Sequence, residues 1–141
     1  MARIELWMTV FAGLSGGLAG VLWSGLVASV SPGRGSDPGA APSETASRVL
    51  AGAVLRAAAG AALGFLFWLG WGLIALVGTP WYRVGFLYGG LAWVAVAAPT
   101  LGTLLLGGHG RVHVVVAHAV EWLFTCLTIG LLCALAWHRY A

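Results

Sequence analysis

Arg56, His118 and Glu121 are the residues of this chain whose types and spacing could do chemistry. Arg56 and Glu121 are two of only 11 charged residues in 141 (seven basic, four acidic), and both fall inside long apolar runs. His118 precedes Glu121 by three residues, which puts the two on one face of a helix. A carboxylate, an imidazole and a guanidinium brought together could pair charges, hold an anion or pass a proton. The His-x-x-Glu spacing also suits two ligands of a metal, but a metal would need more, and the candidates are His109 and His113, earlier in the chain near one membrane face, from which they could approach. No metal or cofactor is expected. A haem is expected even less, because no run other than the fourth offers a deep His or Met as second axial ligand.

Around these residues the composition is that of a membrane protein. Hydrophobic residues make up 60% and charged residues 8%, against about 25% charged in ordinary soluble domains. Mean hydropathy is +0.94. The net charge of +3 comes from seven scattered Arg residues, without a Lys or a basic run, so no nucleic-acid partner is expected. A spanning helix needs about 20 apolar residues. Four runs qualify: Leu6 to Val30, Val49 to Val77, Val84 to Leu106, and Val112 to Trp137. They predict an all-α, four-helix, up-down transmembrane bundle forming a single domain over residues 1–141. Spanning strands would alternate and be about 9–11 residues long, which these unbroken runs are not. The first run reads as a permanent helix and not a leader. It is longer than the usual apolar core of about 7–15 residues, and Glu5 stands in what should be a basic flank.

The stretch from Ser31 to Ser47 is rich in Pro, Gly and Ser and reads as an extramembrane linker, with Ser43 or Thr45 placed to cap the next helix. The other two connections are short. They predict that the second, third and fourth helices pack as successive antiparallel neighbours, leaving the first freer in placement. One membrane face then carries Arg3, Arg83 and Arg139, the other Arg34, Arg48 and Arg111. Three against three gives no orientation by the positive-inside rule. The side holding both termini carries an aromatic belt of Trp7, Trp71, Trp81, Tyr82, Trp137 and Tyr140.

Counted from the opposite side, all four helices put a polar or irregular residue at one depth, about 10 Å in at 1.5 Å per residue. These are Ser24 beside Trp23, Arg56, Thr100 beside Pro99, and His118 with Glu121. The coincidence predicts a buried polar layer built on an Arg56–Glu121 ion pair, with His118, Thr100 and Ser24 around it. Three readings stay open: Arg56 snorkels to the surface, the pair is a structural staple, or the layer is a functional site. Pro99 should kink the third helix, with Thr100 and Thr103 available to the carbonyls it frees. Helix association in lipid runs through small residues. Gly13, Gly16, Gly17 and Gly20 supply them in the first helix, Gly52, Gly60 and Gly64 in the second, and Gly85 and Gly89 in the third. They are expected to pack within the bundle, or in the first helix against another chain. Cys126 and Cys133 lie two turns apart, about 10 Å, too far for a mutual disulfide, and read as packing residues.

Several stretches resemble a known group. They are Gly13 to Gly20, the run PWYRVGFLYGGLAW from Pro80 to Trp93, Pro99 with Gly102, and a last helix opening HVVVAHAVEW and continuing with Gly130. This order is similar to that of bacterial four-helix inner-membrane proteins of the YagU-like group, with His118 matching a His early in their last helix. The resemblance implies a multi-pass protein of the bacterial inner membrane, without an assigned reaction. Arg56 stands where that group has His, and Glu121 near where it favours small residues, so the resemblance carries no site chemistry. Nucleophile-elbow, P-loop, CxxC and dinucleotide fingerprints are absent. The expectation is a non-catalytic subunit or scaffold. Its partners would be the lipid bilayer and other membrane subunits, respiratory or otherwise energy-transducing, or further copies of itself. The alternative is a small oligomeric proton-coupled transporter or ion channel using the Arg/His/Glu layer.

Overall fold

The computed structural model describes residues 2–30, 42–74, 79–106 and 112–140. They form helices α1 (Ala2–Val30), α2 (Pro42–Ile74), α3 (Trp81–Ala92), a π-helical turn (Trp93–Ala97), α4 (Ala98–Leu106) and α5 (Val112–Tyr140). The α3, π and α4 segments run on as one span. Four helices are therefore long and apolar enough to cross a membrane: Leu6–Leu26, Val49–Gly70, Trp81–Thr103 and Val112–Arg139. The chain is an all-α, multi-pass membrane protein.

The helices outrun their apolar stretches, because backbone bonding continues where lipid-compatible side chains stop. α2 begins at Pro42, so residues 42–47 of the expected linker are helical, and Ser43 and Thr45 lie inside the helix and not at its cap. A first-turn proline is tolerated because its missing N–H would have no helical partner there. Residues 31–41 of that linker lie outside the described residues. The third helix starts at Trp81, three residues early. Pro80 sets it up: its carbonyl accepts the Arg83 N–H at 3.0 Å and the Val84 N–H at 3.4 Å.

Packing departs from the order expected. α2 and α3 barely touch; α1 lies between α2 and α5, and α3 packs on the far side of α5. Glycine explains this. Gly13/Gly17 and Gly16/Gly20 form two stripes roughly 60° apart on α1. A Cβ on Gly13 or Gly17 would collide with the carbonyl oxygen of Gly60 or Arg56, and one on Gly64 with that of Thr9. On the other stripe, Gly16 abuts Ile129 and Gly20 abuts the Thr125 side chain. Gly85 and Gly89 meet Gly130, Leu131, Cys126 and Leu127 in the same way. The connecting loop lengths thus matter less than the faces on which two backbones can meet. The first helix, expected to be the freest in placement, is held on two sides, between α2 and α5. Its glycine stripes are used inside the bundle, and Gly52 alone of the second helix's set meets no described atom within 4 Å.

The apolar core lies toward the termini: Phe67, Val84, Tyr88, Ile129, Cys133 and Ala134. Phe67 and Tyr88 meet edge to face at 4.9 Å. The Tyr88 hydroxyl donates to the Leu63 carbonyl, a polar tie between α2 and α3. Tyr88→Phe should lower stability by about 1 kcal/mol, read as a lower thermal midpoint in detergent with the helical signal of the folded state unchanged. Both cysteines are buried, and the Cys133 thiol donates to the Thr9 carbonyl at 3.5 Å.

Pro99 stands just past a π-helical segment of its span. A regular α-helix would drive its ring into the carbonyl four residues back. The wider π turn over Trp93–Ala97 takes up the misfit. Thr100 donates to the Val96 carbonyl at 2.9 Å and Thr103 to that of Thr100 at 2.8 Å. Both bonds are ordinary hydroxyl-to-previous-turn bonds, and neither reaches the Ala95 carbonyl that a missing Pro99 N–H would free.

Candidate functional site

The expected charge pair forms. α2 and α5 flank α1 and run parallel to one another, so positions 56 and 121 come level across the α1 surface. Arg56 Nη2 donates to Glu121 Oε1. The burial of the two side chains is unequal: Glu121 is 1% exposed and Arg56 17%. The carboxylate therefore sits inside the bundle, with the guanidinium between it and the surface. One turn of α5 away, Thr125 donates its hydroxyl to the Glu121 backbone carbonyl at 2.9 Å, and that hydroxyl is itself buried.

His118 joins them less tightly. Its Nδ1 lies 3.6 Å from Glu121 Oε2, and its side chain is 43% exposed. Imidazole and guanidinium thus approach different oxygens of one buried carboxylate, and only the imidazole has a large exposed surface. Such an arrangement can hold a neutral ion pair within the membrane. It also gives the buried carboxylate a titratable neighbour open to the outside.

Thr100 and Ser24 do not join this centre. Thr100 is exposed and bonds within its own helix, and Ser24 donates to the Val21 carbonyl at 2.9 Å. A common depth brings residues to one level; it does not turn them toward one another. Thr100 instead lines a groove of about 170 Å³ with Val96, Ala97, Leu101 and Trp122, beside the π turn.

Two tryptophans make polar contacts between helices that the threonine and serine do not. Trp23 donates its indole N–H to Thr128 Oγ1 at 3.1 Å and stacks on Phe124 at 4.9 Å. Trp93 donates to the Ala119 carbonyl at 3.0 Å. Each ties a neighbouring helix to α5 near the charged layer. Their signal in the sequence is that both stand inside a span, away from the belt at the membrane surface, where an indole N–H needs an acceptor.

Among the described residues no group of three or more His, Cys, Asp or Glu side chains converges to hold a metal ion. His113 is exposed at the start of α5, and His138 and Arg139 are exposed at its end. His109 lies outside the described residues. No family model matches the chain, and neither does any curated protein or solved structure.

Proposed function

We propose that this protein is a non-catalytic subunit or scaffold of a larger membrane assembly in the cytoplasmic membrane of a bacterium, in keeping with its resemblance to the YagU-like group. The observation that carries this reading is that Arg56 and Glu121, the charges lying deep within the described spans, are engaged with each other. Arg56 and Glu121 join α2 to α5, two helices that otherwise touch little, so the costly polar atoms serve to set helix positions. The outward face of α1 carries Trp7, Phe11, Leu18 and Leu22 in one row, a surface suited to lipid or to another apolar helix. Energy-transducing complexes and further copies of the same chain are the partners this reading favours. Purification in mild detergent after chemical crosslinking tests it. A co-purifying membrane subunit or a defined oligomer is expected. A chain that stays monomeric and alone would sink the proposal.

A second reading, an oligomeric proton-coupled transporter or ion channel, draws on His118. A 43% exposed imidazole 3.6 Å from a buried carboxylate is the first step that a proton path would need. Flux of protons and small ions into liposomes decides it, comparing wild type with Glu121→Gln and, because that change strands Arg56, with His118→Gln as well. Flux equal to that of empty liposomes, or unaffected by either change, removes this reading.

A further inference from the structure

A guanidinium carries five N–H donors in a planar fork. Among the described residues, the Arg56 side chain makes one hydrogen bond, to Glu121. The other donors lie within a span, where lipid tails offer no acceptor and an unpaired donor is costly. Arg56 is seven residues inside the start of its span at Val49, about 10 Å along the helix, and its side chain is partly exposed. An arginine at that depth brings its head toward the interface along its apolar stem. The way is clear: Gly52, one turn nearer the interface on the same face of α2, has no described atom within 4 Å of where its Cβ would stand.

We propose that the outer edge of the Arg56 guanidinium binds a phosphate oxyanion at this notch, supplied by the headgroup of a membrane phospholipid. Phosphate is the chemistry that fits. Its oxygens match the arginine fork through two parallel N–H···O bonds, and headgroup phosphates are abundant at the interface toward which the side chain can extend. Glu121 occupies the inner side of the same guanidinium, so Arg56 bridges a buried carboxylate and a surface phosphate. Because Arg56 and Glu121 cancel in charge, short-range hydrogen bonding selects the ligand and not long-range attraction. The site needs no partner chain and stands apart from the question of assembly.

The test uses the full chain, delipidated in mild detergent, with binding read by native mass spectrometry. The probes are dioleoylphosphatidylglycerol, dioleoylglycerol (the same tails without phosphate) and inorganic phosphate. The phospholipid should bind about tenfold more tightly than dioleoylglycerol. Gly52→Leu fills the notch while keeping both charged side chains and should remove most of that preference. So should the charge-neutral double variant Arg56→Gln/Glu121→Gln. Displacement of the phospholipid by millimolar inorganic phosphate would assign the site to the phosphate group alone; failure to displace it would assign it to the intact lipid. Equal binding of the two dioleoyl probes, or a preference that survives in both variants, overturns the proposal.

Discussion

Arg56→Met should destabilise the bundle by about 3–5 kcal/mol, the usual cost of removing one partner of a buried ion pair. The loss arises from what is left behind more than from the pair itself. Glu121, at 1% exposure, would remain inside the bundle without its guanidinium partner. Glu121→Leu should cost less, about 2 kcal/mol, because the stranded arginine is already partly exposed and can extend toward the interface. The double variant Arg56→Met/Glu121→Leu should return to within about 1 kcal/mol of wild type, since apolar side chains of similar volume commonly replace a buried pair without loss. Thermal midpoints of the four proteins in one detergent check this. If the double variant were as unstable as Arg56→Met alone, the pair would not be the staple described here.

Gly60→Val should cost about 3 kcal/mol, at the upper end of overpacking effects. A Cβ at Gly60 collides with the Gly13 carbonyl oxygen and crowds the Gly17 Cα. Both are backbone atoms and cannot rotate away, so α1 has to separate from α2. That separation also disturbs the second stripe of α1, on which Gly16 and Gly20 receive Ile129 and Thr125. Gly52→Val is the matched control on the same helix. Nothing described lies near it, so its effect should stay within about 0.5 kcal/mol. Unfolding midpoints, read together with the fraction of monodisperse protein after extraction, separate the two. Equal effects at positions 52 and 60 would mean that helix propensity and not helix contact sets the cost.

These two predictions rest on features that differ in how far they can be read without coordinates. The charge pair was legible because charge within a span is costly enough to demand a partner, and the chain offers one acid and one arginine at that depth. The glycine spacing was legible as a contact signal, but its partner was not. Gly52, Gly60 and Gly64 stand at multiples of four residues on one face, with Arg56 between the first two, yet Gly60 and Gly64 meet α1 while Gly52 meets nothing described. Spacing marks where a backbone can be approached; which backbone arrives depends on the fit of all the faces together. Thr100 and Ser24 show the limit of counting depth. Each bonds a carbonyl of its own helix, an acceptor always within reach of a hydroxyl, so neither is drawn to the ion pair.

Hydrophobic run length, charge scarcity and the cost of an unpaired backbone in lipid determined from sequence that this is an all-α protein with four spans and two opposite charges at similar depth. The tertiary structure alone decided that α1 lies between α2 and α5, that α2 and α3 are nearly strangers despite their short connection, and that a π turn precedes Pro99. It also decided that Trp23 and Trp93, not Ser24 and Thr100, tie their spans to α5. The reason is physical. Whether a residue can lie in a membrane is a property of its own chemistry and of its near neighbours along the chain. Which helix it faces is set by close packing of backbones, summed over every interface at once.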